Sequence, residues 1–270
     1  MTLTRSRVAE LLRSHDLRPK KALGQHFLVD PNTARRIVRL AGVSAGDRVV
    51  EIGPGLGSLT VELLDVGAAV RTVELDPRLA AVLAEVTEGR CDIVVGDALE
   101  VDLVDVCGPP PVRVIANLPY NVAVPIIMRL LNEVPAATSL FVLVQAEVAD
   151  RLAAVPGDPA YGAVSVKVAY LATAAVRGQV PRTVFVPEPN VDSSLISIER
   201  RTVPAVDPGR VSKERLFTVV TTAFSQRRKM LRRSLAGVVD ESAFERAGVL
   251  PTQRPEELDV GAFGRLAALP

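Results

Sequence analysis

The 270-residue chain has few of the side chains that build metal or disulfide frameworks, with two cysteines and two histidines in all. Cys91 and Cys107 lack CxxC spacing, and His15 and His26 add only two more soft ligands, so neither a metal site nor a disulfide framework is expected. Both cysteines read as small buried hydrophobes. Long apolar runs are missing too: the longest fall well short of the roughly 18 residues a membrane helix needs. The opening MTLTRSRVAELLRSHD carries too much charge for a signal-peptide core. These absences set membrane insertion and secretion aside, and a cytoplasmic, monomeric protein is expected. There is no internal repeat, and the one biased spot is the triplet Pro109 to Pro111, an extended linker.

What is present is apolar residue in quantity, 48% of the chain, enough to fill one large domain or a large and a small one. The net charge of +1 hides a division. Residues 200–234 hold ten Lys or Arg against Asp207 and Glu214, a local +8, which leaves the other 235 residues at −7. That split points to a polyanion-binding element on an acidic body.

Strand-like and helix-like patterns alternate. Strand runs occur at 48–52, 70–74, 92–96, 112–117 and 139–145, and helix-period stretches include LTVELLDV before Gly67 and PRLAAVLAEV behind Asp76 as N-cap and Pro77. The segment 97–111 has the weakest pattern. Alternation with strands buried on both faces predicts an α/β fold, a doubly wound parallel sheet flanked by helices. After residue 160, VSVKVAYLATAAVRGQV and NVDSSLISIER read as two longer strands that close the sheet with an antiparallel edge pair. The expected division is a domain 1–203, with a basic lead-in 1–30, and a small helical domain 204–270.

The first strand runs through EIGPGLG, residues 51–57, directly into a helix. Glycines there let the backbone turn sharply and approach a ligand. Glu74 ends the second strand 21 residues beyond Gly53, where an acid accepts from ribose hydroxyls. Glycines at 53, 55 and 57 with Ser58 next do not make the dinucleotide fingerprint and fit S-adenosylmethionine better, a ligand with no pyrophosphate. Asp97 in VVGDAL is then placed to accept from the adenine amine of that cofactor, or else serves as a helix N-cap.

The strand at 112–117 ends in Asn117-Leu118-Pro119-Tyr120. Pro119 stops the strand and keeps Leu118 extended, which frees the Leu118 carbonyl as an acceptor. The Asn117 amide adds a second acceptor beside it. Two acceptors at one point suit an amino group, and Tyr120 offers a face for a base. They would hold an adenine N6 so that its lone pair faces a methyl donor. No general base is needed, because the methylated nitrogen is transiently cationic and acidic, so catalysis rests on orientation and electrostatics.

KKALGQHFLVD (20–30), EIGPGLGSLT (51–60), VELD (73–76), GDAL (96–99), NLPYN (117–121), FVPEPNVDS (185–193) and AFSQRRKMLRRSL (223–235) together closely resemble the ribosomal RNA adenine dimethyltransferases, and among them the bacterial small-subunit (16S) group. The resemblance implies a class I, Rossmann-like S-adenosylmethionine-dependent methyltransferase with a small helical C-terminal domain. It implies dimethylation at N6 of two adjacent adenosines in the 3′-terminal hairpin loop of 16S rRNA, within an assembling small ribosomal subunit. Implied cofactor contacts are His26, Leu28, Gly53, Glu74, Asp97 and Asn117, with Glu51, Gly55, Gly57 and Ala98 from the same motifs. Phe185 becomes a candidate second aromatic wall for the target adenine, against the alternative of an ordinary core phenylalanine.

The bacterial pattern usually has asparagine where this chain has His26, whose backbone can still serve, and Arg233, often asparagine in the family, adds charge. The basic run Arg227, Arg228, Lys229, Arg232 and Arg233 reads as phosphate contact on about two helical turns, with Lys20 and Lys21 guiding the strand from the other side. Two other functions stay open: an erythromycin-resistance type methyltransferase of large-subunit rRNA, and a non-catalytic RNA-binding assembly factor. Leu118 and Leu23-Gly24-Gln25 favour the small-subunit group over the first, and the intact cofactor motifs weigh against the second. A DNA adenine methyltransferase is disfavoured, since those commonly carry Pro-Pro-Tyr after Asn or Asp and add a target-recognition domain.

Overall fold

The computed structural model describes residues 2–20 and 23–269. Its nine strands among the described residues are β1 (Phe27–Leu28), β2 (Arg48–Ile52), β3 (Ala69–Glu74), β4 (Asp92–Val95), β5 (Val112–Asn117), β6 (Ala137–Gln145), β7 (Ala172–Val180), β8 (Phe185–Val186) and β9 (Ser193–Arg200). Seven form one sheet in the order β4-β3-β2-β5-β6-β9-β7, and β1 and β8 pair separately. From β4 to β6 every pairing is parallel, and β9 then joins β6 antiparallel, Leu143 opposite Leu195. This is the doubly wound sheet the alternating pattern predicts. Its central strands β5 and β6 read as apolar runs because most side chains along them are buried.

The connecting helices start as their sequences dictate. Asp76 accepts from the Arg78 N–H at 3.0 Å, with Pro77 opening the helix Pro77–Val86, and Asp30 does the same for Pro31–Ala41 through the Thr33 N–H at 2.9 Å. The weakly patterned 97–111 stretch holds the short helix Leu103–Cys107, capped by Asp102. Among the described residues no helix is long and apolar enough to cross a membrane, and no group of three His, Cys, Asp or Glu is placed to hold a metal.

Two expectations are corrected. VSVKVAYL is not a strand but the helix Ala163–Leu171, and only Ala172–Val180 is extended. Its β-branched alternation resembles a strand because the helix is apolar on nearly all sides, with Val166 and Tyr170 buried in a core shared with Leu216, Val219 and Phe263. The chain does divide close to residue 203, but the helical unit also takes in a segment from before that boundary. One compact unit comprises residues 1–149 and 175–199, and a second comprises 150–174 and 200–270, so an excursion from the sheet supplies part of the helical unit. The Tyr161 hydroxyl, donating to the Leu258 carbonyl at 2.8 Å, ties that excursion to the C-terminal helices.

Candidate active site

The chain winds outward from β2 through β3 to β4, then returns to place β5 on the other side of β2. The carboxyl ends of β2 and β5 therefore flank the switch point at which ligands sit in such sheets. An open-mouthed cleft lies there, enclosing about 940 Å³ with solvent at its mouth included. It is bounded by residues 23–28, the glycine loop after β2, the turn after β3, residues 96–98 and residues 117–120. Of the expected cofactor residues, His26, Leu28, Glu51, Gly53, Gly55, Glu74, Asp97, Ala98 and Asn117 line it, and Gly57 does not. Gly57 has φ +90°, and a Cβ there would lie 2.7 Å from Leu83 Cδ1, so its missing side chain makes room for the helix Pro77–Val86.

Glu74 organises the floor. Its Oε2 accepts from the Gly55 N–H at 3.0 Å and its Oε1 from the Asp76 N–H at 3.0 Å. Burial pushes this carboxyl above its ordinary range, and the two N–H groups pull it back. A carboxylate has about four acceptor sites, so capacity remains for a diol. Gly55 itself is at φ +59°, and a Cβ there would come within 2.9 Å of Phe27 Cδ1. Glu51 at the end of β2 is 1% exposed, and Thr60 Oγ1 donates to its Oε2 at 2.7 Å.

Asp97 spends Oδ1 on the Leu99 N–H at 2.8 Å, so it is a turn cap whose second oxygen takes no hydrogen bond among the described residues. The alternatives read from sequence are compatible in one side chain. Leu75, next to Glu74, lines the cleft and is 47% exposed, a partly open apolar surface. A carboxylate for a diol, an acceptor for an amine and an apolar face between them make a donor and acceptor set that fits S-adenosylmethionine.

Asn117 ends β5 between β2 and β6, opposite Leu143. Its Nδ2 donates to the His26 carbonyl at 3.0 Å. A carbonyl only accepts, so the amide nitrogen is fixed on that side and Oδ1 points away from it. The Leu118 N–H donates to Leu143, while its carbonyl accepts no hydrogen bond among the described residues; the next turn closes one residue later, from the Val122 N–H to Pro119. Neither Asn117 Oδ1 nor the Leu118 carbonyl accepts a hydrogen bond among the described residues, and both residues line the cleft. Tyr120 stands half-buried beside them, its hydroxyl 2.5 Å from Ser193 Oγ.

Residues that sequence reasoning missed hold the loop 23–28 in place. Ser58 Oγ donates to the Leu28 carbonyl at 2.5 Å, the Lys20 N–H to Gln25 Oε1 at 2.8 Å, and His26 Nδ1 lies 2.7 Å from the Pro187 carbonyl. These pairs lie up to 161 residues apart, and no local pattern announces them.

Other expected site residues are placed differently. Phe185 is 1% exposed and lies in the core with Ile37, Phe141 and Leu195, because β8 pairs with β1 and sets Phe185 opposite Leu28. It is no wall of the cleft. Lys20 puts Nζ 2.7 Å from Asp76 Oδ2 and holds that buried carboxyl down at about 2, so its charge is spent within the protein. Lys21 lies outside the described residues.

In the helical unit, the basic run is not on one helix. The helix Lys213–Ser225 ends before it, and the cations occupy a turn and the single-turn helix Leu231–Ser234. Arg227 is tied to the Pro159 carbonyl at 2.8 Å and to Glu256 at 4.0 Å. Arg228, Lys229, Arg232 and Arg233 are exposed, and among the described residues their side chains make no hydrogen bond or ion pair.

The family model described as ribosomal RNA adenine dimethylase matches residues 17–268. The ribosomal RNA small subunit methyltransferase A of Thermobifida fusca (strain YX) is 47% identical, over 98% of this chain and 95% of that protein. The protein of the same name from Cutibacterium acnes (strain DSM 16379 / KPA171202) is 48% identical, over 93% of this chain and 88% of its own. Among solved structures, the 23S rRNA methyltransferase ErmE superposes with a TM-score of 0.70 at 28% identity, covering 89% of this chain and 98% of that one. A dimethyladenosine transferase from Plasmodium falciparum shares the fold, with a TM-score of 0.73 at 24% identity over 89% of this chain and 96% of that one.

Proposed function

The chain belongs to the ribosomal RNA adenine dimethylase family, and from that premise we propose that it uses S-adenosylmethionine to dimethylate N6 of two adjacent adenosines in the 3′-terminal hairpin loop of 16S rRNA. The observation that carries this reading is the pair of open acceptors, Asn117 Oδ1 and the Leu118 carbonyl, at the mouth of a cleft whose floor is Glu74. The bound cofactor supplies an electrophilic methyl group. The chain's own residues do the rest by positioning: Asn117 and Leu118 take the two N6 hydrogens before the first transfer, one of them takes the single hydrogen left before the second, and Tyr120 holds the ring plane, while each methylated nitrogen sheds one proton to solvent after transfer. Glu74 and Asp97 hold the cofactor by its ribose and adenine, and no side chain has to remove a proton before transfer.

The reading extends to an assembling small ribosomal subunit as substrate, a cytoplasmic monomer as the working form, and no metal requirement. Large-subunit modification of the ErmE kind is the second reading, and the higher identity to proteins named for the small subunit favours the first. Incubation with labelled S-adenosylmethionine and separated subunits lacking the marks is expected to label small-subunit RNA alone. Label in large-subunit RNA, or in neither, would reject the proposal.

The exposed cations supply phosphate contacts that place the RNA. Replacing Arg228, Lys229, Arg232 and Arg233 together by glutamine is expected to lower the slope of log affinity against log salt by about 3. Arg227→Gln, which breaks the ties to Pro159 and Glu256 instead, is expected to lower Tm and leave most of the slope. Filter binding across a salt series measures both, and an unaltered slope in the fourfold variant would exclude this surface.

A further inference from the structure

The helix Ala123–Glu133 follows the turn at Tyr120, and its Ile126 lines the cleft. Arg129, three residues on, does not line it. Its side chain is 19% exposed, with Nε 2.8 Å from Glu133 Oε2, and Nη1 donates to the Ala98 carbonyl at 2.9 Å. That carbonyl and the Leu99 N–H are the two edges of one peptide group, and the same N–H donates to Asp97 Oδ1 at 2.8 Å. The peptide is trans, so it is planar and points its oxygen and its hydrogen in opposite directions. One rigid unit is therefore gripped on both sides, by a guanidinium at its oxygen and a carboxylate at its hydrogen. The cation also polarises the amide and strengthens its N–H as a donor. The backbone of Asp97 is fixed separately, since its carbonyl accepts from the Glu100 and Val101 N–H groups at 2.8 Å each. Among the described residues its side chain has only the Leu99 N–H to hold it.

We propose that Arg129 is a positioning residue for the cofactor's adenine: acting through the peptide between Ala98 and Leu99, it holds the Asp97 carboxylate with one oxygen left for the adenine amine. The inference rests on the reading of this cleft as an S-adenosylmethionine site with Asp97 at the adenine. Arg129 itself touches no ligand. Without it the Ala98 carbonyl loses a charged donor, the peptide is free to tilt, and the carboxylate bonded to its other edge tilts with it. Hydrogen bonds weaken steeply with misalignment, so the loss falls on the contact to the amine. The ribose contact at Glu74 is made by a different strand end and is left in place.

Calorimetry with S-adenosylhomocysteine and with its 6-deamino analogue, in which hydrogen replaces the adenine amine, separates this role from general scaffolding. Wild type is expected to prefer the amine about tenfold, the low end for a hydrogen bond to a charged group. Arg129→Met keeps the apolar stem and is expected to weaken S-adenosylhomocysteine about fivefold while leaving the analogue within about twofold. In an Asp97→Ala background the same substitution should cost nothing further, because the group it positions is gone. If Arg129→Met does not fold, Arg129→Lys, which keeps a cation on a shorter reach, carries the same comparisons with a smaller loss. Equal weakening of both ligands makes Arg129 a scaffold residue and overturns the proposal. So does unchanged affinity for S-adenosylhomocysteine, or a loss that persists undiminished in the Asp97→Ala background. A wild type that binds both ligands alike removes the Asp97 contact, and one that binds neither removes the cofactor reading; this inference falls with either.

Discussion

Asn117→Ala is expected to lower kcat for methyl transfer by roughly 10²–10³-fold, the scale for removing one preorganised polar contact from a reacting group. Two functions meet in this amide. Its oxygen is one of two acceptors that orient the amine, and its nitrogen ties the loop 23–28 through the His26 carbonyl at 3.0 Å. Alanine removes both, and the Leu118 carbonyl alone leaves the amine free to rotate. Asn117→Asp separates the functions. It keeps an acceptor for the amine but faces a carboxylate oxygen against the His26 carbonyl, so loop order and cofactor affinity should suffer first. Single-turnover assays with equilibrium binding of RNA and cofactor distinguish the cases. Asn117→Ala should bind RNA as wild type does, and a normal rate in that variant would reject the amide as the amine's acceptor.

The part of this site that was legible in sequence is the part carried by short, continuous segments. The glycine loop, Glu74, Asp97 and the Asn-Leu-Pro-Tyr turn each follow a strand of a doubly wound sheet, so reading the strands also located their ends. Chemistry limited the menu further, since Pro119 can leave its neighbour's carbonyl open in few ways. What stayed hidden depends on partners distant in the chain. Lys20 reads as a surface cation until Asp76, 56 residues later, takes its ammonium. Phe185 sits in an aromatic-bearing loop motif, and only its register opposite Leu28, in a ribbon of two residues per strand, turns it inward. Such a ribbon is too short for any period to show. The helix Ala163–Leu171 failed for another reason: an apolar helix buried on most sides has no amphipathic stripe, and its valines then look like strand.

Glu51→Gln is expected to make the protein more stable at alkaline pH and to change little at acid pH. The Glu51 carboxyl is 1% exposed, and burial pushes it up to about 8; the Thr60 hydroxyl opposes the shift and the nearby Glu74 adds to it. A carboxyl raised in the folded state gives stability that is fully present below its unfolded value, 4.5, and is lost as pH rises through about 8. At about 1.4 kcal/mol per unit, the loss across that window is on the order of 4 kcal/mol, an upper figure because the site can relax or admit water. Glutamine carries no charge to bury and keeps an oxygen for the Thr60 hydroxyl, so its stability should not follow this slope. Denaturant unfolding of both proteins at pH 5 and pH 8.5 isolates the term, since the other titrating groups largely cancel in the difference. Equal differences at the two pH values would mean that Glu51 is ionised in the folded protein throughout. The expected divergence would mean that this buried acid, which lines the cleft, holds its proton at neutral pH.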